Sequence, residues 1–374
     1  MTAPRPQRLL LLGGGHAQLA VLQALAQQRP ANVEVVLVTP APRQVYSGML
    51  PGWLAGHYTE AQCVIALAPL AEAAGVTLRR AAAVGLDAAA RTVRLDDGGV
   101  LGYDVLSVNT GPVQDPAAWG VPGQTAVPTL RPIEDWLART TRRLAEVPPR
   151  RVVVVGGGAA GFELALAWRH RLEAAAEVSI VTGRSGLLAN YPAAVRRLGR
   201  QALAARGVRC IEAAAREVSA EAVVTADGQR QAADEVVLAV GTVAPRWLQG
   251  SGLALAPDGG LATRATLQSV SHPEVFAAGD VASRLDGPLP KSGVYAVRAG
   301  AALAENVLGR LAGRAPQPWA APVRTLNLLS LGERSAIAAW GPLAVQGRWV
   351  WRWKDRIDRG FMARHGTHAK PAAT

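Results

Sequence analysis

The 374-residue chain reads as an α/β protein with two dinucleotide-binding units, each a parallel sheet flanked by helices. Two stretches carry that reading. RLLLL at 8–12 runs into Gly13-Gly14-Gly15 and a helical pattern, and RVVVV at 151–155 runs into Gly156-Gly157-Gly158 and a second one. One glycine turn of this kind also serves plain packing; two in one chain, each between a strand and a helix, point to two nucleotide sites. The length suits two or three domains, and 49% apolar residues suffice for sizeable cores.

In the first unit Leu19, Leu22 and Leu25 recur at helical spacing after the turn. Glycines at 13 and 15 let the backbone turn tightly and approach a pyrophosphate, while the helix that His16 opens offers N–H donors and a positive dipole end. Against G-x-G-x-x-G the third position is Gln18, a departure beside the small Ala17. Arg5 and Arg8 before LLLL imitate a signal peptide, and residues 9–28 carry no charge. GGGH, Gln18 and Gln23 fit a strand, a turn and a helix better than a membrane span. The next strand, VEVVLVTP at 33–40, ends in Thr39-Pro40, where an acidic residue often holds a ribose hydroxyl.

YSGMLPG follows at 46–52. It is uncharged, and Gly48, Pro51 and Gly52 argue against a regular helix or an interior strand. The second turn has the complete pattern, Gly156, Gly158 and Gly161, with Ala159 opening the helix and Glu163 two residues further on. Its following strand, VSIVTGRS at 178–185, carries Thr182 and ends without an acid; Arg184 suits a 2′-phosphate. YDVLSVNTGP (103–112) and DEVVLAVGTVAP (234–245) run buried strands into small-residue turns at Thr110-Gly111 and Gly241. SVSHPEVFAAGDVAS (269–283) ends a strand in Gly279-Asp280, where a carboxylate can meet a hydroxyl of a bound nucleotide.

The net charge is +12, yet only Lys291, Lys354 and Lys370 are lysines among the 40 basic residues. Arginines are spread along the chain without a nucleic-acid motif, so no nucleic-acid partner is expected; anionic nucleotides or a membrane surface suit the charge. Cys63 and Cys210 have neither CxxC nor metal spacing, which argues for a reducing cytoplasm and against a disulfide framework or a metal site.

With these stretches in hand, the chain resembles the flavoproteins with two dinucleotide-binding domains, among them disulfide reductases, type II NADH dehydrogenases and sulfide:quinone reductases. The resemblance implies two Rossmann-like domains: an interrupted FAD domain at 1–112 and 250–316, an NAD(P)H domain at 113–249 and a C-terminal segment at 317–374. It implies FAD contacts at Gly279 and Asp280, and Glu163 near the nicotinamide. GGGHA, YSGMLPG, KSGVYAVRAG (291–300) and WKDRIDRGFM (353–362) are more narrowly similar to NADH-dehydrogenase-like flavoproteins found fused ahead of selenide, water dikinase.

In disulfide reductases a redox Cys pair lies in the region of YSGMLPG. Here no sulfur nucleophile occurs, and a dithiol relay needs two thiols, so disulfide and sulfide:quinone reductase chemistry are set aside. YSGMLPG is expected to wall the isoalloxazine, with Tyr46 and Met49 in contact and Gly48 allowing close approach. The helix after Ser292-Gly293 is implied to aim its N-terminus at the flavin, with Lys291 adding positive charge and Tyr295 lining an acceptor pocket; the alternatives are a solvated lysine and a packing tyrosine.

As a helix, GRWVWRWKDRIDRGFMARH (347–365) brings Val350, Trp353/Lys354, Ile357 and Phe361 to one face; as a strand, WVWRW would pack on the body. Its basic and Trp residues suit a peripheral contact with the inner face of the cytoplasmic membrane; intramolecular packing and homodimerisation are the alternatives. The expected activity is an FAD-dependent NAD(P)H oxidoreductase: hydride passes from NAD(P)H to flavin N5, then electrons to a non-disulfide acceptor, a quinone first. The rivals are a soluble reductase of a small acceptor linked to selenium metabolism and a redox sensor acting through a protein partner.

Overall fold

A computed structural model describes residues 5–115, 127 and 129–366. Four apolar stretches of the N-terminal part and one from much later form a five-stranded parallel sheet. Its order is Val275–Ala277, Val105–Val108, Gln7–Leu12, Val33–Val38, Thr77–Arg79. Helices His16–Gln27 and Gly293–Leu311 bury one face, and the strands Ala83–Asp87 and Thr92–Leu95 pack on the other, which is why the central strands are continuous apolar runs rather than alternating ones. From Gln7–Leu12 the chain winds outward through Val33–Val38 to Thr77–Arg79. It then returns to lay Val105–Val108 on the other side of the first strand. The order reverses between those two central strands, and the crevice at their carboxyl ends is where such sheets bind ligands.

The second unit repeats the plan. Arg209–Ile211, Glu177–Val181, Arg151–Val155 and Glu235–Leu238 form a parallel sheet. In both units a three-stranded antiparallel meander precedes the strand that returns beside the first one, Val105–Val108 or Glu235–Leu238: Ala83–Asp87, Thr92–Leu95 and Val100–Gly102 in the first, Ala215–Val218, Ala222–Thr225 and Arg230–Ala232 in the second. Helix His16–Gln27 packs on helix Gly293–Leu311, where Gly300 and Ala20 let the two approach closely.

The C-terminal part is an antiparallel sheet, Asn327–Leu331, Glu333–Trp340 and Leu343–Gly347, followed by helix Arg348–His365. Its residues Leu329, Leu331, Ile337 and Ala339 share one core with Phe162 and Trp168 of the second unit and Leu50 and Leu54 of the first. The ends of the expected domain ranges, residues 1–4 and 367–374, and residues 116–126 and 128 lie outside the described residues.

Two sequence expectations change. YSGMLPG is not an irregular loop: a single turn at Ser47–Met49 leads into a short helix, Leu50–Leu54. Pro51 sits in the first turn of that helix, where its missing N–H costs nothing. In helix Arg348–His365 the inward face is Val350, Lys354, Asp358, Phe361 and Met362, while Trp353 and Ile357, expected there, are each 42% exposed. Lys354 and Asp358 are tolerated inside because they neutralise each other.

Phe162→Ala is expected to lower unfolding free energy by about 3–5 kcal/mol, since the ring is fully buried in the shared core. Trp349→Ala, at 56% exposure, should stay within about 0.5 kcal/mol of wild type. Guanidinium denaturation distinguishes the two outcomes.

Candidate functional site

At the reversal of strand order the structure opens a cavity of about 800 Å³. One wall is the first glycine turn, Gly13 to His16. Val38 to Ala41, Ala81 to Val84, Ser47, Gly293 and Ala296 also line it. Asn109 to Asp115, Arg131 and the Gly279-Asp280 turn complete it.

Bare backbone is required at the turn. A Cβ on Gly13 would lie 2.5 Å from the Asn109 carbonyl oxygen, and one on Gly15 2.3 Å from Asn109 Oδ1. Asn109 is buried, and its side chain ties three segments together. Oδ1 accepts from the amides of Ala17 (3.1 Å) and Gln18 (3.3 Å), and Nδ2 donates to the Ala278 carbonyl at 2.5 Å. Gln18, the departure from the glycine pattern, is buried against the sheet. Its amide accepts from the Ser107 hydroxyl at 2.9 Å and donates to the Ser107 carbonyl at 3.3 Å, so a polar residue fits where glycine is usual.

His16 lines the cavity, and burial pushes its imidazole down to about 4, with the charges of Arg131 and His365 acting the same way. The ring is therefore neutral at pH 7. Its Nε2 is buried without a hydrogen-bond partner among the described residues. Burial raises the Asp280 carboxyl and lowers the Arg131 guanidinium; each charge partly offsets the other's shift. A glycine cradle that no Cβ can enter, a helix N-terminus, an orphaned imidazole nitrogen and a carboxylate at the strand end fit a bound dinucleotide.

The site residues expected from sequence fall into groups. Gly13, Gly15, His16, Thr39, Thr110, Gly111, Gly279, Asp280 and Gly293 all line this cavity; Ala17 is buried behind the turn. The Thr39 hydroxyl donates to the Ala41 carbonyl at 3.2 Å. From YSGMLPG it is Ser47 that lines the cavity. Met49 is buried among Leu19, Cys63 and Phe361, and the Tyr46 ring stacks on Phe361 at 4.4 Å.

Lys291 does not line the large cavity. Its ammonium donates to the Asp280 carbonyl (3.0 Å), the Ala282 carbonyl (2.6 Å) and the Ser283 hydroxyl (2.8 Å), and lies 3.3 Å from Asp258, so its donors serve as a latch. Tyr295 and Ser292 share with Lys291 a smaller cavity that adjoins the large one at Gly279-Asp280, and the Tyr295 hydroxyl donates to the Pro322 carbonyl at 3.2 Å.

In the second turn a Cβ on Gly156 would lie 2.2 Å from the Ala239 carbonyl oxygen, and one on Gly161 1.9 Å from that of Gly156. Gly158 and Ala159 open the helix, with open space at Gly158. Thr182 is buried beside the turn, whereas Arg184 and Gly241 are exposed. Glu163, on the same helix, faces the C-terminal part: Oε1 accepts from the Ser330 amide at 2.7 Å. Burial pushes its carboxyl up to about 7, with Lys354 and the Ser330 amide opposing and Asp358 adding to the rise.

Asn109, Arg131 and Ser47 were not singled out from sequence. Asn109 had a signal, as the first residue past a buried strand; Arg131 is hidden among many arginines. Burial pushes the Cys63 thiol up to about 12, and both cysteines are free.

Two nucleotide cradles on paired parallel sheets define a flavoprotein that also binds a pyridine nucleotide. The chain belongs to the pyridine nucleotide-disulphide oxidoreductase family, whose model matches residues 7–300. It is an NAD(P)H-dependent flavin oxidoreductase that uses FAD and NAD(P)H. The chain is 25% identical over 369 residues to demethylphylloquinone reductase NdbB of Synechocystis sp., covering 91% of this chain and 87% of that protein. It is 34% identical over 212 residues to the ferredoxin–NAD(+) reductase component of the biphenyl dioxygenase system of Paraburkholderia xenovorans, covering 53% and 48%. The fold matches the sulfide:quinone oxidoreductase of Aquifex aeolicus with a TM-score of 0.75 at 18% identity, over 96% of this chain and 91% of that one.

Asn109→Leu is expected to leave the Ala17 amide and the Ala278 carbonyl without their partner, costing about 1–3 kcal/mol for each group left unsatisfied, while the Gln18 amide keeps the Gly15 carbonyl at 3.0 Å. Gly15→Ala should fold yet lose FAD, because the added methyl meets Asn109. The ratio of flavin to protein absorbance after gel filtration measures the loss. Folded Glu163 titrates near 7 against 4.5 when unfolded, so the unfolded chain releases its proton first. Wild type should therefore lose stability relative to Glu163→Gln as pH rises from 4.5 to 7, by about 1.4 kcal/mol per unit at most, and run parallel above 7. Denaturation midpoints across that window test this.

Proposed function

We propose that the protein oxidises NAD(P)H and reduces a quinone at a membrane surface. The observation that carries this reading is the outer face of helix Arg348–His365. There Trp349, Trp353 and Ile357 stand exposed beside Arg348, Arg352 and Arg356, with Leu343 exposed on the preceding strand. Aromatic and aliphatic side chains rimmed by arginines suit the interface of an anionic bilayer, where quinones reside. No helix among the described residues is long and apolar enough to cross a membrane, so the contact would be peripheral. The near full-length similarity to a demethylphylloquinone reductase supports a quinone; the partial similarity to ferredoxin reductases supports a soluble protein acceptor as the second reading.

FAD, when bound, supplies the two-electron carrier between nicotinamide and acceptor. The chain's own residues bind and orient. The first cradle would hold the FAD pyrophosphate, with Thr39 placed to meet its adenosine part and Ser47 and Gly293 its isoalloxazine part. The second cradle, Gly156 to Gly161, takes the pyrophosphate of NAD(P)H. These assignments go with the domain ranges 1–112 and 250–316 for FAD and 113–249 for NAD(P)H. A quinone gains two electrons and two protons; the hydride accounts for the electrons and one proton, and the second proton comes from solvent. Lys291 fixes the Asp280 turn instead of meeting substrate.

An anaerobic titration with NADH and then NADPH, followed by flavin absorbance and a quinone pulse, tests the electron path. Bleaching by one nucleotide and rapid reoxidation by quinone is the expected result. Bleaching that only a ferredoxin reverses would favour the second reading. Trp353→Ala with Ile357→Asp should abolish sedimentation with anionic liposomes while leaving flavin bleaching intact. Unchanged partition would sink the membrane claim.

A further inference from the structure

Lys354 and Asp358, one helical turn apart on the C-terminal helix, form an ion pair inside the protein, with Nζ 2.6 Å from Oδ2 and side chains 11% and 5% exposed. A buried pair of this kind is often no more stabilising than apolar residues of the same volume, so stability is a poor account of its presence. What the pair touches is specific. Lys354 Nζ also donates to the Gly48 carbonyl at 2.6 Å, and the Tyr46 hydroxyl donates to Asp358 Oδ1 at 3.2 Å. Gly48 and Tyr46 are the two neighbours of Ser47, the residue of this turn that lines the large cavity.

Ser47 is therefore gripped from both flanks by one helix far away in sequence. Phe361 of the same helix adds a stacked contact to the Tyr46 ring, and the His16 ring meets Tyr46 edge-on at 5.5 Å. The pair is neutral as a whole, so it fixes the turn without setting a net charge behind the cavity wall. An apolar replacement would fill the space but leave the Gly48 carbonyl and the Tyr46 hydroxyl with nothing to fix their directions.

We propose that Lys354 and Asp358 are positioning residues for bound FAD: they hold Tyr46 to Gly48 so that Ser47 forms the cavity wall beside the isoalloxazine. The inference rests on the ring lying at the Ser47–Gly293 end, as proposed above. Neither residue is in the cavity lining, and both act through Ser47.

The test uses the FAD-loaded protein and three readouts: the visible flavin spectrum, FAD affinity from flavin fluorescence, and the thermal midpoint of the apoprotein. Asp358→Asn alone leaves a buried ammonium and is expected to fold poorly. The informative variant is Lys354→Met with Asp358→Leu, which removes both charges and keeps the volume. It should fold with a somewhat lowered apoprotein midpoint, since the Gly48 carbonyl and Tyr46 hydroxyl lose these bonds, and in addition shift the flavin bands and bind FAD about tenfold more weakly, since an unsupported binding shell loses precision. Ser47→Val should shift the same bands. A double variant with wild-type bands and affinity overturns the proposal, as does one that loses thermal stability while its bound flavin is unchanged. If Ser47→Val leaves the spectrum untouched, the ring is elsewhere and both readings fall. A shift with Ser47→Val but none with the double variant overturns only the positioning role.

Discussion

The side-chain amide of Asn109 is the contact on which the first nucleotide site depends. It stands just past the central strand Val105–Val108, at the point where strand order reverses. Its oxygen accepts from the Ala17 and Gln18 amides of the first helix, and its nitrogen donates to a carbonyl at a strand end that the chain reaches much later. The turn beside it can be only glycine, because any side chain at 13 or 15 would occupy the space of Asn109 itself. At the turn the backbone is drawn so tightly onto one amide that a ligand's phosphates can approach the main chain directly.

The second unit uses the same turn for a different neighbourhood. Its helix carries Glu163 toward the C-terminal sheet, where Ser330 meets it and burial holds its carboxyl near neutrality. On the other side of that region lie Lys354 and Asp358, which bond back to the first unit through Gly48 and Tyr46. The C-terminal helix is consequently more than a cover. Its inner face carries the charges and the ring that order the turn beside the large cavity, while its outer face leaves tryptophan, isoleucine and arginine in contact with solvent. The inside pair is stable because each charge has a partner of opposite sign and a second hydrogen bond.

By itself, the sequence determined the two strand–turn–helix units and the parallel sheets, because each follows from local periodicity or from a glycine that no other residue can replace; the family and its cofactors were legible through the resemblance that these motifs carry. Gly13, Gly15, His16, Gly279 and Asp280 were legible for that reason, and they meet in one cavity. Only the tertiary structure decided that Ser47 rather than Met49 faces the cavity. It also decided that Lys291 is a latch, that Trp353 points outward where Lys354 points in, and that Asn109 and Arg131 belong to the site. These outcomes rest on contacts between segments far apart in the chain, such as Tyr46 with Asp358, 312 residues away. A helical period gives the spacing of a face but not its rotation toward the core; that rotation was set by which inward side chains could satisfy one another's charge and hydrogen bonds.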